Sequence, residues 1–247
     1  MMTSFANWDV LGVDPAPSEQ TVVFDGTAFR KWRASEVVGE VRRARKGSRS
    51  LLIAWDAPMS FSPARGFSDR AVDKGTRAWL KEAFGASCGV NALPFSQCPH
   101  WAITSAALGV PTGDGFASRV VRPVATLTGT FAIEVHPAVT LAWWWFTADK
   151  ARKAPPAYKR GSTAARSESL RALVEGLGHL GIAMPEECRR DDDHLDAWVA
   201  WKMVRDFLDG GAGWIGDSEA GGYVVPLAAV GVLSAHVEAA DRSWGKG

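Results

Sequence analysis

The segment Arg189–Trp201 constrains the fold most strongly, because it places carboxylates on the apolar face of a predicted helix. With a rotation of about 100° per residue, Asp193 and Asp196 fall on the stripe that a packed helix buries. The same stripe carries four apolar residues, Ala197, Ala200, Val204 and Leu208. A buried carboxylate is costly unless a cation or hydrogen-bond donors compensate its charge. The helix must therefore pack where such compensation is available, and a divalent cation is the obvious partner.

The acids at the start of this helix also have an interpretation that needs no metal. Aspartate at the N-cap and in the first turn accepts hydrogen bonds from free N–H groups and complements the helix dipole. This role suits Asp191 and Asp192. It suits Asp196 poorly, because this residue lies beyond the first turn and points inward. The segment alone leaves both interpretations open.

The rest of the chain predicts an alternation of strands and helices. The predicted strands cover residues 8–14, 21–24, 27–31, 51–55, 130–135 and 223–225, and the predicted helices 35–46, 68–84, 164–178 and 192–209. Three early strands joined by short turns indicate an antiparallel meander, whereas the unbroken apolar run Leu51–Trp55 is typical of a buried parallel strand. We therefore predict an α/β fold with a mixed, five-stranded type of sheet flanked by helices.

We expect a single domain over residues 1–247, with its core at about 8–227. Residues 85–128 are rich in Gly, Pro, Ser and Thr and lack a strong periodicity. This stretch is predicted to be an insertion that runs over the sheet.

Composition sets few limits on function. The formal net charge is +1, so the overall charge argues neither for nor against a nucleic-acid partner. Three scattered cysteines do not form a disulfide framework, which favours a reducing cytoplasm. The longest apolar runs are too short to span a bilayer, so no membrane association is expected.

Three further acids follow predicted strands. Asp14, Asp56 and Glu134 each end an apolar run, and sites in open α/β sheets form at the carboxyl ends of parallel strands. Each acid alone is most simply a turn residue or an ion-pair partner. Together with Asp193 and Asp196 they predict one carboxylate cluster, whose oxygen ligands suit Mg²⁺ or Mn²⁺ better than Zn²⁺.

Short motifs occur in a characteristic order along most of the chain. They are Gly12-Val13-Asp14, Ile53 to Pro58, Asp73 with Arg77, Glu134-Val135-His136-Pro137, Tyr158-Lys159-Arg160-Gly161 with Arg166 and Leu170, Asp192 to Ala197, and Val224-Val225-Pro226. This order resembles the ribonuclease H-like superfamily and, within it, the predicted nucleases of domain-of-unknown-function family 429 (DUF429). The resemblance covers residues 8 to 227 and implies a ribonuclease H-like fold.

The resemblance also implies a metal site. Related Holliday-junction resolvases carry an aspartate on the first strand, an acid at the end of the fourth strand and two acids three residues apart on the last helix. On this chain those positions are Asp14, Asp56, Asp193 and Asp196, and we expect them to be both catalytic residues and metal ligands. Glu134 is an additional acid that we include among the catalytic candidates, as a ligand, a supporting group or a substrate contact. The fourth-strand acid is Asp here and Glu in those resolvases.

Four more residues are candidates for substrate binding. Lys159, Arg160 and Arg166 are suitable phosphate contacts, although exposed basic residues before a helix are equally common. His136 is able to shuttle a proton near neutral pH, but a structural, hydrogen-bonded histidine is the more usual role at a strand end.

The function that these expectations favour is a metal-dependent nuclease that hydrolyses DNA or RNA with two Mg²⁺ or Mn²⁺ ions. Nucleic acid would be its substrate, and a homodimer is left open. The alternative is a non-catalytic nucleic-acid-binding or scaffold protein on the same fold. A phosphotransferase of the actin and sugar-kinase type is less favoured, because such enzymes need two domains of this kind around a nucleotide.

Overall fold

The computed structural model describes residues 8–48, 50–60, 70–85, 98–109, 118–119, 128–148, 153–217 and 221–244. Its main sheet is mixed and has the strand order β3-β2-β1-β4-β6-β5. The bounds of its strands are β1 Asp9–Asp14, β2 Gln20–Phe24, β3 Phe29–Arg33, β4 Ser50–Trp55, β5 Ser118–Arg119 and β6 Gly129–Glu134. The predicted α/β class with a mixed sheet is therefore confirmed, with the two-residue β5 added at the edge of five longer strands.

The sheet changes from antiparallel to parallel at β1. The meander β1, β2 and β3 is antiparallel, whereas β1, β4 and β6 run parallel. Strand β4 is buried along its whole length, as its unbroken apolar sequence predicts. The carboxyl ends of β1, β4 and β6 therefore lie side by side at one edge of the sheet.

Seven helices flank the strands in the described part of the chain. They are α1 Val37–Gly47, α2 Ala71–Phe84, α3 Cys98–Leu108, α4 Pro137–Ala148, α5 Thr163–Gly178, α6 Asp192–Leu208 and α7 Leu227–Trp244. Helix α6 packs on one face of the sheet, where its apolar side chains join those of β1 and β4 in a single cluster. Helices α1 and α3 cover the opposite face.

Several elements were not predicted from the sequence, α3 and β5 among them. The run Ala212–Asp217 is strand β7, which pairs with β8 (Gly221–Pro226) in a separate two-stranded sheet. Helix α4 follows β6 directly, although its sequence is apolar on nearly all sides. A bridge from Val135 to Val224 connects the small sheet to the end of β6.

The predicted insertion at 85–128 lies partly outside the described residues. Within it, α3 packs on the sheet through Ile103, Ala107 and Leu108, and Ser118–Arg119 extends the sheet next to β6. The single-domain organisation stays a prediction. In the described ranges, no helix is both long and apolar enough to cross a membrane.

Candidate metal centre

The first two predicted acids are neighbours at the edge of the main sheet. Asp14 ends β1 and Asp56 follows β4, and the Asp56 backbone N–H donates to the Val13 carbonyl at 2.9 Å. Side chains alternate between the two faces of a strand. Val10 of β1 and Ala54 of β4 face α6, so Asp14 and Asp56 point to that same face.

Helix α6 brings the other two acids to this place. It begins at Asp192, and Asp191 is its N-cap, whose carboxylate accepts from the Asp193 backbone N–H at 3.0 Å. Asp191 also pairs with Lys31 at 2.9 Å. The capping role predicted for Asp191 is therefore confirmed. Asp196, one turn further on, is fully buried, whereas Asp193 is partly exposed.

A close backbone contact sets the position of α6 against β1. Gly12 lies under the helix, and a Cβ atom there would be 2.1 Å from the Ala197 carbonyl oxygen and 2.5 Å from the Trp201 nitrogen. No side chain fits between the two elements. Gly12 therefore lets α6 approach the strand that ends in Asp14.

Lys159 inserts a positive charge among these acids. Its ammonium group contacts Oδ2 of Asp196, while the Tyr158 hydroxyl donates to Oδ1 of the same carboxylate at 3.0 Å. Both residues come from the connection between α4 and α5. A turn from Ala157 to Arg160 and Gly161, in the left-handed region with φ 97°, shape this connection before Ser162 caps α5.

The charges of these acids act on one another. Burial raises the pKa of Asp14 well above its usual value; the Lys159 charge opposes this shift, and the Asp56 charge adds to it. Burial and then the Asp196 charge raise the pKa of Asp56 in the same way. Burial also raises the pKa of Asp196, against the opposing Lys159 charge.

Asp193 lies at the open side of this group. Burial, followed by the charges of Asp191 and Asp192, raises its pKa to about 6. The carboxylates of Asp191, Asp192 and Asp193 offer ligand atoms that lie within 4.8 Å of one another. Because Asp191 is already engaged as a cap and an ion-pair partner, we define the acid cluster as Asp14, Asp56, Asp193 and Asp196.

The donor chemistry of the acid cluster suits a hard divalent cation. It offers oxygen donors from three elements, and partly exposed side chains at Asp14, Asp56 and Asp193 leave a side open to solvent. The raised pKa values of all four carboxylates show that one lysine does not fully offset their burial and mutual repulsion. Carboxylate oxygens are the ligands that Mg²⁺ and Mn²⁺ prefer.

Glu134 points away from α6, although its charge contributes to the raised pKa of Asp56. It is in register with Trp55, which packs on the face covered by α1 and α3, so its side chain points away from α6. Its carboxylate accepts hydrogen bonds from both terminal nitrogens of Arg70, at 2.6 and 2.8 Å, and from the Met59 backbone N–H at 2.8 Å. These contacts are those of a structural ion pair, and the catalytic role of Glu134 stays a prediction.

Arg70 is a residue that the sequence did not single out. It also binds Asp73 through two hydrogen bonds, of 2.8 and 3.1 Å, and all three charged groups are buried. Asp73 is therefore a partner of Arg70 in this buried network. Arg70 precedes α2 in a turn-like sequence, where an arginine usually indicates an exposed position.

The other predicted substrate contacts are His136, Arg160 and Arg166, and each has a different environment. The His136 ring packs edge-on against Tyr223, and burial lowers its pKa to about 4, so the ring is neutral at pH 7. Arg160 lies exposed beside Lys159, and Arg166 is exposed in the first part of α5. Of the predicted substrate contacts, Lys159 is the one whose charge reaches the acid cluster.

Comparison with known families identifies a matching segment of the chain. Residues 119–220 match the family model described as "Protein of unknown function (DUF429)", which confirms the resemblance to this family. The matched segment contains Glu134, Lys159, Asp193 and Asp196, and Asp14 and Asp56 lie before it. Comparisons with curated proteins and with solved structures gave no match.

Proposed function

We propose that this chain is a metal-dependent nuclease that hydrolyses phosphodiester bonds at the acid cluster. The observation that carries the proposal is that the ends of β1 and β4 and the start of α6 place four carboxylates at the carboxyl edge of the sheet, where their charges act on one another. Paired and parallel strands bring Asp14 and Asp56 together, and the Gly12 contact brings α6 to them. The order of an antiparallel meander followed by parallel strands also agrees with the ribonuclease H-like fold that the resemblance implies.

Asp14, Asp56, Asp193 and Asp196 would hold Mg²⁺ or Mn²⁺. Bound there, divalent ions would supply an activated water and stabilise the leaving oxygen of a phosphodiester. The protein residues position the substrate. Lys159, at the acid cluster, and Arg160, exposed next to it, are suited to bind the phosphate backbone.

Glu134 has a supporting role in this proposal. Its ion pair with Arg70 joins the end of β6 to the start of α2, and its bond to the Met59 N–H holds the segment that follows Asp56. This arrangement stabilises the carboxyl edge of the sheet on the face opposite α6. Glu134 would then maintain the position of Asp56 without contacting the metal.

A non-catalytic nucleic-acid-binding protein is the second candidate, and the Lys159–Asp196 pair favours it. This pair partly compensates the buried carboxylate with a group of the protein itself. A cluster compensated in this way can persist without a metal. The two candidates therefore differ in whether the chain cleaves nucleic acid by means of these acids.

A cleavage assay distinguishes the two candidates. Labelled single-stranded, duplex and branched DNA and RNA are incubated with the chain in Mg²⁺ or Mn²⁺, and with Asp14→Asn as the test variant. Asp9→Asn is the matched control, because Asp9 is exposed at the other end of the same strand. Metal-dependent cleavage that Asp14→Asn abolishes and Asp9→Asn retains supports the nuclease. Binding without cleavage under every metal condition supports the second candidate.

A further inference from the structure

The Lys159 ammonium group occupies a position at which a cation is needed. It contacts one oxygen of Asp196, and the Tyr158 hydroxyl donates to the other. Asp196 is fully buried, so access of any other cation to this carboxylate depends on these two neighbours. The tyrosine is buried, which leaves the lysine as the movable partner.

The lysine side chain is able to leave. It is 45% exposed and extends from the connection that follows Pro155 and Pro156, outside any helix or strand. Lysine has a flexible four-carbon stem with a compact charge at its end. The ammonium can therefore move toward solvent or a phosphate without a change in the sheet or in α6.

The charge of Lys159 acts on the whole acid cluster and not on Asp196 alone. It opposes the rise in the pKa of Asp14, Asp56 and Asp193. Its charge therefore reaches all four carboxylates. A divalent ion bound to the same carboxylates would be repelled by this ammonium.

We propose that Lys159 is an internal counter-cation that competes with the divalent metal for Asp196, so that metal binding requires its ammonium group to leave this carboxylate. The inference rests on the metal site of the proposed function. A phosphodiester near the site offers the released ammonium a new partner. Substrate and metal would then favour each other's binding, and by linkage this effect is reciprocal.

The first experiment measures metal affinity without any substrate. Mn²⁺ alone is titrated into the full chain, and free Mn²⁺ is followed by electron paramagnetic resonance. Lys159→Met is expected to bind Mn²⁺ at least about tenfold more tightly than the unmodified chain, because it removes a competing positive charge. Lys46→Met is the matched control, since Lys46 is exposed near the end of α1, and its affinity should stay within about twofold. Equal or weaker binding by Lys159→Met overturns the inference.

A second measurement needs no variant and therefore does not depend on the folding of Lys159→Met. The chain is treated briefly with acetic anhydride, with and without saturating Mn²⁺, and acetylation is measured by peptide mass spectrometry. Mn²⁺ should raise the labelling of Lys159 several-fold and leave Lys46 unchanged. Labelling of Lys159 that does not respond to bound Mn²⁺ overturns the inference.

The two proposals fail in different ways. If neither the unmodified chain nor Lys159→Met binds Mn²⁺, the metal site itself is wrong, and both proposals fall. If both bind Mn²⁺ with the same affinity, only the role of Lys159 is wrong. If the chain binds Mn²⁺ as expected but cleaves no nucleic acid, the counter-cation role of Lys159 stands and the nuclease proposal is wrong.

Discussion

Gly12 of β1 and Ala197 of α6 meet backbone to backbone, and a single added carbon on Gly12 would lie 2.1 Å from the Ala197 carbonyl oxygen. Two residues after Gly12 the strand ends in Asp14, and one residue before Ala197 the helix carries Asp196. The approach of these two backbones therefore determines how near the carboxylates of strand and helix come to each other. The packing of α6 on β1 and the approach of Asp14 to Asp196 therefore both depend on Gly12.

Replacing Gly12 with alanine should destabilise the protein. The new methyl group would clash with backbone atoms of α6, so the helix would have to move, at a cost of about 2–3 kcal/mol or more. Chemical denaturation measures this loss. Gly39→Ala is the control, because Gly39 is in α1 with no atom within 4 Å of its added carbon, and it should be neutral or slightly stabilising. Equal stability of the Gly12 variant and the unmodified chain would contradict the contact.

Replacing Arg70 with methionine should be strongly destabilising. The change leaves Asp73 and Glu134 buried without their shared cation, and breaking a buried ion pair in this way costs about 3–5 kcal/mol. Arg43→Met removes an exposed ion pair with Glu40 and should cost under about 1 kcal/mol. Urea midpoints of the two variants give the comparison.

The same ion-pair network permits a rescue test. The triple variant Arg70→Met, Asp73→Asn, Glu134→Gln removes the unpaired charges and should recover part of the lost stability. If the three changes are additive, Arg70 does not act through these two carboxylates.

Asp14→Asn should stabilise the chain when metal is absent. The pKa of Asp14 is raised in the folded state, chiefly by burial, so its charged form opposes folding, and asparagine cannot carry that charge. Thermal denaturation in EDTA should give a higher midpoint for Asp14→Asn than for the unmodified chain. Added Mn²⁺ should stabilise the unmodified chain and have little effect on the variant.

Asp9→Asn is the control for both melts. Asp9 is exposed at the start of β1, so this variant should match the unmodified chain with and without Mn²⁺. A lower midpoint for Asp14→Asn in EDTA would show that the Asp14 carboxylate is a net stabilising group and not a strained one.

His136 should make stability fall in mild acid. Burial holds its folded-state pKa at about 4 against an ordinary 6.5, so the unfolded chain takes up a proton first as the pH drops. The contribution is fully present above pH 6.5 and is lost progressively between about 6.5 and 4, by an amount on the order of 1–3 kcal/mol. The difference in unfolding free energy between the unmodified chain and His136→Gln, measured across this range, isolates the effect.

His236 is a control, because its contribution to stability has the opposite pH dependence. Burial lowers the pKa of His236, but hydrogen bonds to the Val232 carbonyl and to Glu82 together outweigh it and raise the pKa above its usual value. Its contribution is therefore present below pH 6.5 and lost as the pH rises through the folded-state value. His236→Gln should remove a small stabilisation in acid, and a His136→Gln profile of this same form would contradict the burial of the His136 ring.

Several elements followed directly from local sequence. The unbroken apolar run of β4 indicated a parallel strand buried on both faces, and the acids before an apolar stripe indicated the start of α6 and its cap. Helix α4 was missed because its sequence is apolar on nearly all sides, so it lacks the periodicity that distinguishes a helix from a strand. Strand β7 was missed because its glycines are typical of a loop.

The candidate site was likewise only partly predictable from the sequence. The sequence by itself determined that Asp14 and Asp56 end strands and that Asp196 lies on a buried stripe, because strand ends and helix faces depend on neighbours in the chain. Only the tertiary structure decided that Glu134 points to the opposite face and pairs with Arg70, because the register between strands sets the facing side. The position of Lys159 among the acids was likewise decided there, since a residue in an irregular connection has no periodicity from which its contacts could be inferred.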